Sequence, residues 1–310
     1  MRNFEQPQIE DNGSLKDGKE DGKLSRRDFL KKAALFGAAV VLTPKELLAQ
    51  QMKSPELSDD AGIEEISHFI ARHRETIDYA RLWPKEIPVL FIGERHTVKA
   101  DKDEIIKNLA GLKKLGMTHF AMEMLREEQQ KIVDDYSAGK VDRGKVLEIF
   151  KQGWDKRPEI AEKYMELLDA AKSNGIYILA IDLYTDSSEY GTAEFFRKRN
   201  ANWARIAESI LQDKKSRILF YNGQSHSGYN KVDDSANEML ERAGIKSSVV
   251  EFSGGEVAPN DAYFFVDRVA KAAQNLKIGG EKFGLRIKSD DDVRGMDVVI
   301  HLPQIEKSDR

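Results

Sequence analysis

The 310-residue chain contains no cysteine. That excludes disulfides, thiol nucleophiles, cysteine zinc sites, iron–sulfur clusters and lipid attachment to a cysteine. Positive charge is not in excess: 49 Lys and Arg face 53 Asp and Glu, so the net charge is −4. Nothing in that balance points to nucleic acid. Long apolar runs are missing too. The run from Ala33 to Leu42 is too short to span a bilayer comfortably. There is no Gly-x-Ser-x-Gly elbow, no Walker-type phosphate loop, and no repeat or low-complexity linker after Asp60. What is present, 40% apolar and 33% charged residues, suits a globular protein with a sizeable core.

The first 49 residues read as an address. Residues 1–24 are polar and rich in Gly and Asp, the composition of a disordered segment. Ser25-Arg26-Arg27-Asp28-Phe29-Leu30-Lys31 then precedes the short apolar stretch. A basic pair before such a stretch has the layout of a signal peptide, and the two arginines resemble a twin-arginine export signal. The expectation is recognition by the twin-arginine export machinery, cleavage after Ala49, and a periplasmic or cell-envelope location. An uncleaved segment would act as a membrane tether.

Residues 50–84 are expected to be a linker followed by a helix over 61–82. Residues 85–305 are expected to form one α/β domain. Its strand signals are the runs Val89–Gly93, Thr118–Met124, Tyr177–Leu183, Arg217–Gly223, Ser247–Phe252 and Asp297–Leu302. Nearly continuous apolar runs suit strands buried on both faces. Amphipathic patterns over 102–115, 158–174 and 192–212, and a shorter one ending near Ala243, read as helices. Gly116, Gly175 and Gly244 supply stops. The alternation implies a mainly parallel central sheet flanked by helices, with a helical insertion around 125–175. Residues 255–295 carry no clear pattern.

Open parallel sheets bind ligands beyond the carboxyl ends of their strands. Polar residues gather there: Gly93-Glu94-Arg95-His96, then Glu123, then Asp182, then Asn222-Gly223-Gln224-Ser225-His226. Each Gly-x-x-His segment lets the chain turn sharply and the histidine fold back over the edge. Two histidines and a carboxylate form a common divalent-metal ligand set, and metal-bound water is a nucleophile near neutral pH. Glu94 would be general base or would orient a ligand. Each motif alone equally describes a turn or a helix cap. Arg199 and Asn200 either point into the site, where a guanidinium could hold an anionic group, or lie on a solvated helix face. Trp154 and Tyr164 either line a pocket or pack in the core. His68, His73, His119 and His301 read as surface or helix-packing residues.

Ile92-Gly93-Glu94-Arg95-His96, Glu123-Met124 followed by Gln129 or Gln130, Arg199-Asn200-x-x-Trp203-Ala204, Asn222-Gly223-x-x-His226 and the closing Asp297-Val298-Val299-Ile300-His301-Leu302-Pro303 follow one another in order. Over roughly 85–303 this set resembles the superfamily of ChaN haem-binding uptake proteins, Tiki and TraB proteins, and erythromycin-esterase-like hydrolases. ChaN-like members bind haem, often at a dimer interface. The resemblance therefore implies haem binding in iron acquisition and allows a homodimer; His96 and His226 are candidate axial ligands, and Tyr184 and Tyr229 join them only through their places near strand ends. Tiki-like members are metal-dependent peptidases. They imply His96, Glu123 and His226 as ligands, Glu94 as catalytic or ligand-orienting, and a peptide or ester substrate. Arg95, Asp182, Arg199, Asn200 and Asn222, read from their places near the strand ends, would support the site or contact substrate. A third expectation is a scaffold whose polar strand ends only cap helices.

Overall fold

A computed structural model describes residues 61–184, 192–224, 226–228, 234–256, 265–287 and 297–305. The segment expected to direct export and Tyr229 lie outside these residues. The apolar runs become the strands β1 (Val89–Glu94), β2 (His119–Arg126), β3 (Tyr177–Asp182), β4 (Ile218–Gly223) and β5 (Ser247–Gly254). β6 (Phe283–Arg286) and β7 (Val298–Leu302) follow. They make a seven-stranded sheet in the order β3-β2-β4-β1-β5-β7-β6. All pairings are parallel except β6 with β7.

Side-chain alternation along each strand assigns residues to two layers. Leu90, Ile92, Phe120, Met122, Leu219 and Tyr221 face one helical layer. It comprises α3 (Lys99–Lys114), α4 (Gln130–Ser137), α5 (Arg143–Gly153) and α6 (Pro158–Ser173). Val89, Phe91, Ala121, Ile218 and Phe220 face the other. That layer comprises α1 (Ile63–His73), α7 (Ala193–Ile210), α8 (Ala236–Arg242) and α9 (Phe265–Asn275). The short α2 (Tyr79–Leu82) packs with the first layer through Leu82. The single α/β fold with a mainly parallel sheet is therefore as expected.

Local chemistry sets the boundaries. α6 starts at Pro158, whose missing N–H costs nothing in a first turn. Thr192 caps α7 by accepting from Phe195 N at 3.2 Å. Gly116 takes φ 99° where α3 turns back toward β2, a conformation glycine tolerates best. The expected helical insertion is the crossover from β2 to β3 and contains α4, α5 and α6.

Two expectations change. The helix expected over 61–82 is two helices. Between them Glu75 exchanges backbone hydrogen bonds with Gly284 at 3.0 and 2.8 Å, so tertiary pairing overrides the helical pattern. The unpatterned 255–295 stretch supplies α9 and β6. β6 has only four residues and pairs antiparallel at the sheet edge, too little sequence for a period to emerge.

Candidate functional site

Register brings the motifs together. Glu94 pairs with Gly223 across β1 and β4. Met122 pairs with Tyr221 on one side of β2 and Ala180 on the other, which sets Glu123 level with the ends of β4 and β3. Glu94, Glu123, Asp182 and the β4 exit therefore line one carboxyl edge. Two linked clusters result.

The first cluster is built on Glu94, which is 2% exposed. Its Oε1 accepts from Tyr164 Oη at 2.5 Å and lies 2.9 Å from His96 Nδ1. Its Oε2 accepts a short bond from Lys102 Nζ. Burial pushes the Glu94 carboxyl up, but the Lys102 charge and the bonds from His96 and Lys102 prevail and hold it at about 2. Burial pushes His96 down, and Glu94 more than offsets this, so its pKa is raised. No described residue bonds His96 Nε2. That atom lies over Gly223, only 2.7 Å from where a Cβ would stand. The ring fits there because residue 223 is glycine. About a third of the His96 side chain stays open, and Trp154 stands beside it at 6.3 Å between ring centres.

The second cluster is organised by Arg199, which is 3% exposed on α7. Its Nε donates to Asp182 Oδ1 at 2.6 Å and its NH2 to Glu123 Oε1 at 2.7 Å. Its NH1 donates to His226 Nε2 at 3.2 Å. Glu123 Oε2 accepts from Gly223 N at 2.6 Å, next to His96. Burial pushes Glu123 up, and the positive charges around it, His226 when protonated and Arg199 at every pH, bring it below its ordinary value. Burial raises Asp182 to about 6 despite Arg199. Burial lowers His226 to about 4. His226 is therefore neutral at pH 7, and since Nε2 accepts from Arg199, its proton sits on Nδ1. Nδ1 has no partner among the described residues.

The structure thus joins Glu94, His96, Glu123, Asp182, Arg199 and His226. The solvated-face alternative for Arg199 and Asn200 fails, because both are buried. Asn200 instead donates to Asp234 O at 3.2 Å, tying α7 to the segment before α8. Asn222 is buried and donates to Gly223 O at 3.0 Å. Arg95 is clamped between Asp101, at 2.6 Å, and Gly254 O, at 2.7 Å, so it braces the edge. Tyr184 is 67% exposed and lies against Arg126, apart from the clusters. His301 is also a correction: it is fully buried in β7, stacked on Phe283 at 4.7 Å.

Sequence reasoning missed Lys102, and it left Tyr164 between pocket and core. A signal existed for Lys102. It precedes Ile105, Ile106 and Leu109 by three, four and seven residues, a charged residue on the apolar stripe of its own helix.

The expected His96, Glu123 and His226 metal set does not fit this arrangement. Among the described residues no group of three His, Asp or Glu is disposed to hold a metal ion. Two of the three are engaged: Arg199 and Gly223 N–H take the Glu123 oxygens, and Arg199 takes His226 Nε2, which leaves His96 Nε2 open among the described residues. A guanidinium fills the cation's place. An axial ligand of haem iron would need open space for a flat macrocycle, and His96 Nε2 lies close over Gly223. The exposed Tyr184 phenol keeps that freedom.

Residues 85–189 match the family of haem-binding uptake proteins of the Tiki superfamily, ChaN. That stretch carries Glu94, His96, Glu123, Asp182 and Tyr184. No curated protein matches the chain. Among solved structures, the type III effector HopBA1 is 15% identical over 70% of this chain and 88% of its own, with a TM-score of 0.45. ChaN of Campylobacter jejuni, described with cofacial heme binding, is 14% identical over 70% and 88%, at 0.38. RRSP, a MARTX toxin effector domain from Vibrio vulnificus CMCP6, is 21% identical over 60% of this chain and 38% of its own, at 0.40.

Proposed function

We propose that the protein is a hydrolase of peptide or ester bonds whose general base is His96, acting without a metal ion. The observation that carries this is the pair itself: buried, ionised Glu94 bonds His96 Nδ1 at 2.9 Å, and Nε2 has no partner among the described residues. A carboxylate on Nδ1 fixes the tautomer in which Nε2 is the basic nitrogen. Nε2 takes a proton from water, and the hydroxide adds to the substrate carbonyl carbon. Arg199 commits three of its five N–H groups to Asp182, Glu123 and His226, and its remaining N–H groups stabilise the oxyanion. The tetrahedral adduct collapses as the imidazolium returns its proton to the leaving oxygen or nitrogen, giving acid and alcohol or amine.

The test is turnover of chromogenic ester and peptide panels by chelator-treated protein. Wild type is expected to be active, and His96→Ala and Glu94→Gln slower by about 10²–10⁴-fold. Activity that appears only on adding zinc or manganese would overturn the metal-free reading.

A second reading, haem binding in iron uptake after export, is favoured by the family match over 85–189. Here Tyr184, exposed two residues beyond β3, would hold the iron through its phenolate, and a second copy of the chain in a homodimer would help hold the group. It predicts a Soret shift on haem titration that Tyr184→Phe removes. A flat titration would end it.

A further inference from the structure

We infer that Lys102 is a positioning residue for the Glu94–His96 pair, one buried ammonium that fixes both the carboxylate orienting the imidazole and the backbone turn carrying it. This rests on the reading of His96 as the base. Lys102 is fully buried in the second turn of α3. Burying an ammonium carries a large desolvation cost, which an apolar side chain would avoid. A lysine there therefore calls for specific partners, and it has four. Nζ donates to Glu94 Oε2, to His96 O at 2.8 Å, to Arg95 O at 3.1 Å and toward Val98 O at 3.3 Å. The three carbonyls belong to the turn that leaves β1 and points the His96 ring back over Gly223. Among the described residues, Lys102 is the only lysine or arginine bonded to Glu94.

The opposite wall of this pocket is Tyr164, from α6 in the helical crossover. Its ring stands 4.8 Å from the Lys102 ammonium, and its hydroxyl donates to Glu94 Oε1. Each Glu94 oxygen is thus pinned by a donor from a different helix. Tyr164 Oη also lies 3.3 Å from His96 Nδ1, so carboxylate, phenol and imidazole share one small polar pocket. Without Lys102 the turn carbonyls lose their common donor and Glu94 is held by Tyr164 alone, so the turn no longer keeps His96 Nδ1 in fixed register with Oε1 and its hold on one tautomer loosens.

The experiment is long-range ¹⁵N–¹H correlation of the His96 ring in the full chain, at a pH where the ring is neutral. Wild type is expected to show the Nδ1–H tautomer alone. Lys102→Met is expected to show both tautomers, with kcat lowered about 100-fold, the cost of roughly 1 Å of misplacement, while KM stays nearly constant. Glu94→Gln is compared with Glu94→Gln/Lys102→Met, which removes both buried charges and so keeps the comparison open if the single lysine variant does not fold. In Glu94→Gln the amide oxygen must face Lys102, which only donates, so the amide NH2 faces Nδ1 and the ring is expected in the Nε2–H tautomer; in the double variant that constraint is gone and both tautomers are expected. Retention of a single tautomer in Lys102→Met or in the double variant overturns the inference. Absence of hydrolysis in a wild type that shows the single tautomer overturns the hydrolase reading instead.

Discussion

Gly223→Ala offers a sharp test of the site because the perturbation is one methyl group. Gly223 ends β4 without a left-handed φ, so alanine brings no backbone strain. Its Cβ would stand 2.7 Å from His96 Nε2, 3.0 Å from Cε1 and 3.5 Å from Glu123 Oε2. Comfortable contact with a ring atom is about 3.5 Å, so the imidazole must retreat by roughly 0.8 Å. It cannot retreat freely, because Glu94 holds Nδ1. The fold should tolerate this, with overpacking of about 1–3 kcal/mol partly offset by alanine's gain over glycine in a strand, about 0.5–1 kcal/mol. A melting point lower than wild type by no more than about 10 °C follows. Displacing a base by that distance should lower kcat/KM by about 100-fold. The assay is steady-state hydrolysis beside thermal unfolding. A folded Gly223→Ala protein with undiminished hydrolysis would refute the placement of Nε2 as the working atom.

Arg199→Met leaves Glu123 and Asp182 without their shared cation. Unfolding in urea should show a loss of about 3–5 kcal/mol, and the folded fraction a fall in kcat of about 10²–10³-fold; unchanged kcat would remove Arg199 from the mechanism. Acid sensitivity follows from the buried histidines. His226 and His301 are held at about 4 by burial, so each stays neutral in the folded chain while the unfolded chain protonates below about 6.5. The stability they contribute is present above that pH and is lost as pH falls toward 4. Asp182, raised to about 6, takes a proton in the folded state first and offsets about one of the two. The net uptake on unfolding near pH 5 is about one proton, a slope of roughly 1.4 kcal/mol per pH unit, measurable by urea unfolding at pH 5 and 6. His301→Phe should flatten that slope.

Much of the fold was legible because buried parallel strands announce themselves by composition alone. Phe91-Ile92 and Leu219-Phe220-Tyr221 are apolar on both faces, and the helices between them carry stripes closed by Gly116, Gly175 and Gly244. β6 escaped because a four-residue edge strand has no period. The 61–82 helix broke because Glu75 found a backbone partner far along the chain, at Gly284.

The sequence by itself determined which residues reach the carboxyl edge. Glu94, Glu123, Asp182 and His226 follow their strands at fixed spacing, and a parallel sheet must bring such ends to one side. What those residues do there was decided by the tertiary structure. Spacing along a chain says nothing about which helix face lies over the sheet. Packing of α7 delivers Arg199 between Glu123, Asp182 and His226 and replaces the expected metal with a guanidinium. Packing of α3 and α6 delivers Lys102 and Tyr164 to Glu94. A charge buried among opposite charges and a charge facing water look alike in sequence; only the desolvation imposed by the fold separates them.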